Sequence, residues 1–233
     1  MKNTWKEFNK DGLFNECNHE TRLQMIVYLA NALFKNKKIN ESLKYAFLLH
    51  DEMNAYRGQL RNKYLFFYYN ILINNYAESD KQKAIETLNN AASEKIIMNN
   101  NEYSFYILLN LVMLLFDSHR FKESNKQLIK LKLHERFNQI DEGFRLKIIV
   151  AEMIIRYELR DADFIEMNMP KIKKEFTGII SKSEYYRQKL MLELLSSKIL
   201  LGEKDVKKAN KIAQTLLSTR ADKADLIDYN AWL

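Results

Sequence analysis

The chain has 233 residues, of which 47% are hydrophobic and 29% charged, with a formal net charge of +7. It is long enough to bury a core and too apolar to be disordered. Five glycines and one proline, Pro170, are all that punctuate it. That excludes a β-sandwich, a barrel or a doubly wound α/β fold, which need turn residues about every ten positions.

Apolar residues recur at i, i+3, i+4 and i+7 along most of the chain, the spacing of amphipathic helices. Taken in order, the pattern predicts helices at 20–36, 40–57, 60–77, 81–98, 101–117, 121–135, 140–159, 162–178, 182–202 and 204–219, with a short last helix from 222. Asn40 and Asp80 stand where N-caps belong, and Ser181 precedes Glu184 at the spacing of a capping box. Gly58 and Gly202 stand where helices end. No linker or shift of composition divides the chain, so 1–233 reads as one all-α domain. It has an N-terminal extension over 1–19, five helical hairpins over 20–219 and a capping helix over 220–233. Trp5, Phe8, Leu13 and Phe14 are the anchors of the extension. The last helix, with Leu226, Ile227, Tyr229, Trp232 and Leu233, reads as a cap on the fifth hairpin, with a docking segment as the alternative.

The hairpins resemble one another. A Leu and a small residue on the first helix (Leu29, Ala30) precede a short polar turn, the apolar Ile39, and the small residues Ser42 and Ala46. The second-helix start recurs at Ala84, Ser124, Met167 and Ala209, at successive spacings of 42, 40, 43 and 42 residues. Small residues let two helices cross closely. A period near 41 residues marks an array whose units bury their apolar faces only by stacking. On these residues the chain resembles the tetratricopeptide repeats. Leu29, Ala30 and Leu33 stand where that family has Leu, Gly and Tyr, and Ser42 and Ala46 where it has Ala and an aromatic. The third unit matches at Leu111, Leu115, Phe121 and Ser124. The period departs from the family's roughly 34 residues, its Gly and closing Pro are missing, and Met167 is not small. The resemblance implies a right-handed α-solenoid of about five helix–turn–helix repeats, with the first helices of the pairs lining a concave binding surface.

No constellation with catalytic spacing stands out. There is no phosphate-binding glycine loop, nucleophile elbow or histidine pair at metal spacing. His19, His50, His119 and His134 lie near helix ends, where capping or surface roles suffice. Glu16-Cys17-Asn18-His19-Glu20 gathers metal-ligand types without a second pair to complete a site. Neither a cofactor nor a metal is expected. The run Tyr64-Leu-Phe-Phe-Tyr-Tyr69, beside Arg61 and Lys63, has the make-up of a base-stacking surface. Six consecutive helical residues point all round the axis, however, so packing between repeats is the simpler account.

The register of the first unit carried along the chain places Asn31, Lys35, Asn70, Asn74, Asn110, Glu152, Arg156, Arg160 and Lys198 on the concave face. The resemblance implies that Asn31 matches a position where the family uses Asn to hold a peptide backbone. An amide side chain donates and accepts at once, and Arg grips a carboxylate with two parallel bonds. Glu152, Arg156 and Arg160 share one helix face, which suits either a ligand site or an internal ladder of ion pairs.

The expected function is therefore a non-catalytic protein- or peptide-binding scaffold. A nucleic-acid-binding helical repeat and the ligand-sensing module of a regulator are the alternatives. Lysines are dispersed among acids, and the densest group, Lys171 to Lys174, is followed at once by Glu175, which ranks nucleic acid second. The most apolar run, Phe105–Phe116, carries Asn110 and falls short of the roughly 20 residues of a membrane span, so no membrane association is expected. The single cysteine, Cys17, permits no intrachain disulfide, and residues 1–18 have no apolar stretch of the signal-peptide kind. Both fit a cytoplasmic protein.

Overall fold

A computed structural model describes residues 14–199, 203–219 and 225–233, with only the backbone of Glu203 and Lys204. The described residues form helices joined by turns and no strand. In chain order these are α1 (His19–Lys35), α2 (Ile39–Met53), α3 (Arg61–Ser79), α4 (Lys81–Ser93), α5 (Lys95–Met98), α6 (Asn101–Asp117) and α7 (Phe121–Lys132). There follow α8 (Glu142–Glu158), α9 (Ala162–Glu175), α10 (Thr177–Ile180), α11 (Tyr186–Ile199), α12 (Glu203–Ser218) and α13 (Tyr229–Trp232). No helix among the described residues is long and apolar enough to cross a membrane.

The predicted ends move where the backbone turns early. The 40–57 helix stops at Met53, because Tyr56 and Arg57 take the left-handed conformation and close a separate 3₁₀ turn with Gly58. The 81–98 helix breaks at the extended Glu94 into α4 and α5. Asp80 caps α4 by accepting from the Lys83 N–H at 3.1 Å. Asn40, by contrast, lies inside α2, and Ser181 is no N-cap but closes the end of α10, because a 3₁₀ turn over Ser183–Tyr185 leads into α11. Trp5, Phe8, Leu13, Gly202 and the start of the expected last helix lie outside the described residues.

The chain divides by its contacts into two compact units at Leu114/Leu115. In the first, α1 packs on α2, α2 on α3 and α3 on α4. A buried polar lock joins three of these helices. Ser42 on α2 donates its hydroxyl to the Ala30 carbonyl on α1 at 2.9 Å, and Asn75 on α3 donates to Ser42 Oγ at 2.9 Å. Both side chains are fully buried. The aromatic run packs inward as well. Tyr64 and Leu65 are buried, Phe66 stacks flat on Tyr103 at 3.8 Å, and Tyr68 sits 4.9 Å from His50.

In the second unit α8 packs on α7, α9 and α11, while α11 also packs on α9, α10 and α12. Leu146, Val150, Ile154 and Ile155 on α8 and Met191, Leu194 and Leu195 on α11 are fully buried and form its core. On α9 the residue that turns inward is Ile165, at 1% exposure, whereas Met167 is 65% exposed. The buried position near the start of α9 therefore sits two residues earlier than the expected spacing, which fell on Met167.

Three hairpin turns are the same structure. After α1, α6 and α8 the chain reverses through Lys37, His119 and Arg160, each left-handed with φ of 58°, 56° and 57°. Each turn makes the same bond pair: Lys38 N–H to Leu33 O and Lys37 N–H to Phe34 O, Arg120 to Leu115 and His119 to Phe116, Asp161 to Arg156 and Arg160 to Tyr157. This is a Schellman closure, normally built on glycine because a Cβ crowds the following carbonyl. Lys37→Gly and His119→Gly are each expected to raise unfolding stability by about 1 kcal/mol, measured as the shift of the urea midpoint at constant slope.

Candidate functional site

Five of the nine candidate residues lie in the first unit, and three of them, Asn70, Asn74 and Asn110, gather around Tyr106. Asn70 and Asn74, one turn apart on α3, are half-buried, and Asn74 Nδ2 donates to Asn70 Oδ1 at 3.2 Å. Tyr106 on α6 donates its hydroxyl to the same Asn70 oxygen at 2.6 Å. Asn110 donates to the Tyr106 carbonyl at 2.8 Å. The result is a continuous polar seam across α3 and α6. Asn31 on α1 is half-buried, and among the described residues its amide meets no side-chain partner; Lys35 is exposed at the end of that helix. Among the described residues the Asn70 amide N–H₂ and the Asn110 side-chain oxygen meet no partner either. Amides fixed on rigid helices with spare donors and acceptors can bond both sides of a peptide backbone.

Tyr106 is the member that the sequence reading missed. Burial pushes its phenol up from 10.0 to about 12. Burial also raises the phenols of Tyr64, Tyr68 and Tyr69, with the neighbouring carboxylates Glu20, Asp51 and Glu94 adding to it.

The other candidates lie in the second unit, and their roles separate. Glu152 is 3% exposed and pairs with Lys132 on α7 at 2.6 Å. Arg156 bonds Asp161 at 2.9 Å and stacks over the Phe164 ring at 4.1 Å. Arg160 has left the helix altogether and occupies the left-handed turn position. The ladder of Glu152, Arg156 and Arg160 therefore does not form: α8 ends at Glu158, Glu152 and Arg156 pair with other residues, and Arg160 stands in the turn. Lys198 on α11 places its ammonium over two rings, Tyr157 at 5.3 Å and Trp232 at 4.9 Å.

The last described segment is tied into this unit by a buried charge that no local pattern announced. Arg187 on α11 donates through Nε to Asp225 at 2.8 Å and through its other nitrogens to Asn230 Oδ1 at 2.9 Å and to the Leu216 carbonyl at 3.3 Å. Gln188 donates to the second Asp225 oxygen at 2.6 Å. Ile227 and Tyr229 are buried beneath, and the Trp232 indole donates to Glu158 at 2.6 Å.

The aromatic run, the histidines and the Glu16–Glu20 tract form no reactive cluster. His19 is buried, unlike the surface or capping role expected of it, and its Nε2 lies 2.9 Å from the Glu52 carbonyl. Cys17 is exposed. Among the described residues no group of three or more His, Cys, Asp or Glu side chains converges as a metal site. No protein-family model matches the chain, and no curated protein or solved structure matches it either.

Two outcomes follow from these contacts. Ionising Tyr106 is opposed by burial in the fold, so its share of stability is complete below pH 10 and is lost as pH rises towards about 12. Urea unfolding across that alkaline range is expected to show a smaller decline in Tyr106→Phe than in the parent chain. Removing one partner of the buried pair strands the other charge. Arg187→Met and Asp225→Leu are each expected to cost about 3–5 kcal/mol, read from Trp232 fluorescence during urea unfolding in a Trp5→Phe background.

Proposed function

We propose that the chain is a non-catalytic scaffold of tetratricopeptide-like helical hairpins, arranged as a right-handed α-solenoid, that holds an extended segment of a partner protein. The observation that carries the reading is the seam of Asn70, Asn74, Tyr106 and Asn110. It presents amide groups on rigid helices with hydrogen-bonding capacity left over. Asn31 adds a further uncommitted amide on α1. An extended peptide offers alternating N–H and C=O groups that such amides satisfy in pairs, while apolar side chains of the partner supply most of the affinity. The recurrence of one turn geometry at Lys37, His119 and Arg160 supports the repeat reading. The short segment Asp225–Leu233, packed on α11 and α12, supports a capping role for the chain's last helix. The exposed, unpaired Cys17 supports a reducing, cytoplasmic setting.

The test is a tagged capture from native lysate, divided into portions with and without nuclease and eluted across a salt series. A defined protein that survives nuclease and moderate salt is expected. Its retention should fall about tenfold in the triple variant Asn31→Ala, Asn70→Ala, Asn110→Ala, with helical circular dichroism unchanged. Nucleic acid as the dominant eluate, with captured proteins disappearing on nuclease treatment, sinks the scaffold reading and makes the basic surface the functional one.

A further inference from the structure

The segment Asp225–Leu233 sits on the second unit much as a bound peptide sits on its receptor. Its contacts are made by one side chain after another. Asp225 gives one oxygen to Arg187 Nε at 2.8 Å and the other to Gln188 at 2.6 Å. Ile227 and Tyr229 are buried. Asn230 accepts from Arg187 at 2.9 Å. The Trp232 indole donates to Glu158 at 2.6 Å, its ring stands edge-on to Tyr157 at 5.7 Å, and the Lys198 ammonium lies 4.9 Å from it. The intervening Asp228 and Ala231 are exposed. Asp228 accepts from the Asn230 and Ala231 N–H groups at 3.0 and 3.2 Å, so the segment caps its own last turn.

The groove beneath does not take its shape from the segment. Arg187 is held from the other side by the end of α12. It donates to the Leu216 carbonyl at 3.3 Å, to the Thr219 carbonyl at 3.4 Å and to the Thr219 hydroxyl. Lys198 rests over Tyr157 at 5.3 Å as well as over Trp232. With the segment lifted, the guanidinium keeps its three bonds to α12 and loses its carboxylate. A guanidinium fixed in this way at 8% exposure is a preformed receptor for an anion, because a charge so buried is costly until its partner is in place.

The groove is therefore built for a carboxylate, two apolar side chains, an amide and an indole in that order, and residues 225–233 carry that order. Two copies of the chain present two identical grooves and two identical segments. A segment that leaves its own groove for that of the other copy makes every bond again, so exchange costs little beyond the joining of two molecules.

We propose that residues 225–233 are an exchangeable segment that docks in the groove of a second copy of this chain and joins two copies, with the Asp225–Arg187 and Trp232–Glu158 bonds then made between molecules. The surface lies apart from the asparagine seam and does not rest on the scaffold reading.

Two full-length variants separate the halves of the interaction. Asp225→Ala spoils the segment and keeps the groove; Arg187→Met spoils the groove and keeps the segment. Each alone is expected to sediment as a monomer. An equimolar mixture is expected to form a 1:1 complex, which an excess of a synthetic peptide of residues 225–233 dissolves. The same peptide, labelled with fluorescein, is titrated with the parent chain and with Asp225→Ala by fluorescence anisotropy. It is expected to bind Asp225→Ala at least about tenfold more tightly than the parent, whose own segment competes for the groove. A peptide carrying Asp225→Asn should bind Asp225→Ala at least about tenfold more weakly than the unchanged peptide. No complex in the mixture, a complex in either variant alone, or equal binding of the peptide to parent and Asp225→Ala overturns the proposal. Circular dichroism reports whether the variants keep their helices. Should Arg187→Met fail to fold, the peptide titrations decide, because they leave the groove unaltered. The scaffold reading is decided separately, by the captured partner and the triple asparagine variant.

Discussion

The hairpin turn is the constraint on which the rest of the molecule depends. A helix ends with four carbonyls unsatisfied, and a chain that must double back within three residues has little room to satisfy them. The Schellman closure at Lys37, His119 and Arg160 does both, folding two N–H groups back onto the last turn and redirecting the chain. The cost is a side chain held in the left-handed region at each turn. The gain is that five residues further on, Ser42, Ser124 and Ile165 all arrive buried. The turn thus sets the register of the second helix, and the register decides which side chains face the crossing.

Each unit then solves a polar problem created by close helix packing. In the first unit Ser42 and Asn75 carry hydrogen bonds through a crossing too tight for larger apolar groups, and the seam of Asn70, Asn74 and Tyr106 continues the same device nearer the surface. In the second unit one guanidinium, that of Arg187, gathers the end of α12 and the segment around α13 around itself. Neither arrangement needs the other. Buried polar groups specify one arrangement of helices only when nearly all their bonds are made, as they are here, with the Asn75 carbonyl oxygen and the Gln188 oxygen as exceptions.

The proposed binding surface follows from what the packing leaves over. The seam keeps an amide N–H₂ at Asn70 and a carbonyl oxygen at Asn110 after its internal bonds are counted. Surplus capacity of this kind distinguishes a surface that can hold a partner from one that is merely polar.

Periodicity alone determined the helical class, the number of long helices and most of their ends, because a 3.6-residue repeat survives whatever the helices later pack against. The same pattern placed Asn70, Asn74 and Asn110 together, since their faces follow from register. Three things were decided only by tertiary structure. The shift from Met167 to Ile165 depended on a left-handed turn at Arg160, which non-glycine residues adopt too rarely to be read from sequence. The partners of Glu152 and Arg156 were Lys132 and Asp161 rather than each other, because helix α8 stopped at Glu158 and the ladder had no third rung. The bond between Arg187 and Asp225 spans 38 residues, and a contact at that separation leaves no local trace in the sequence: it exists only because α11, α12 and α13 are brought together, and a charge so deeply buried is stable only where they meet.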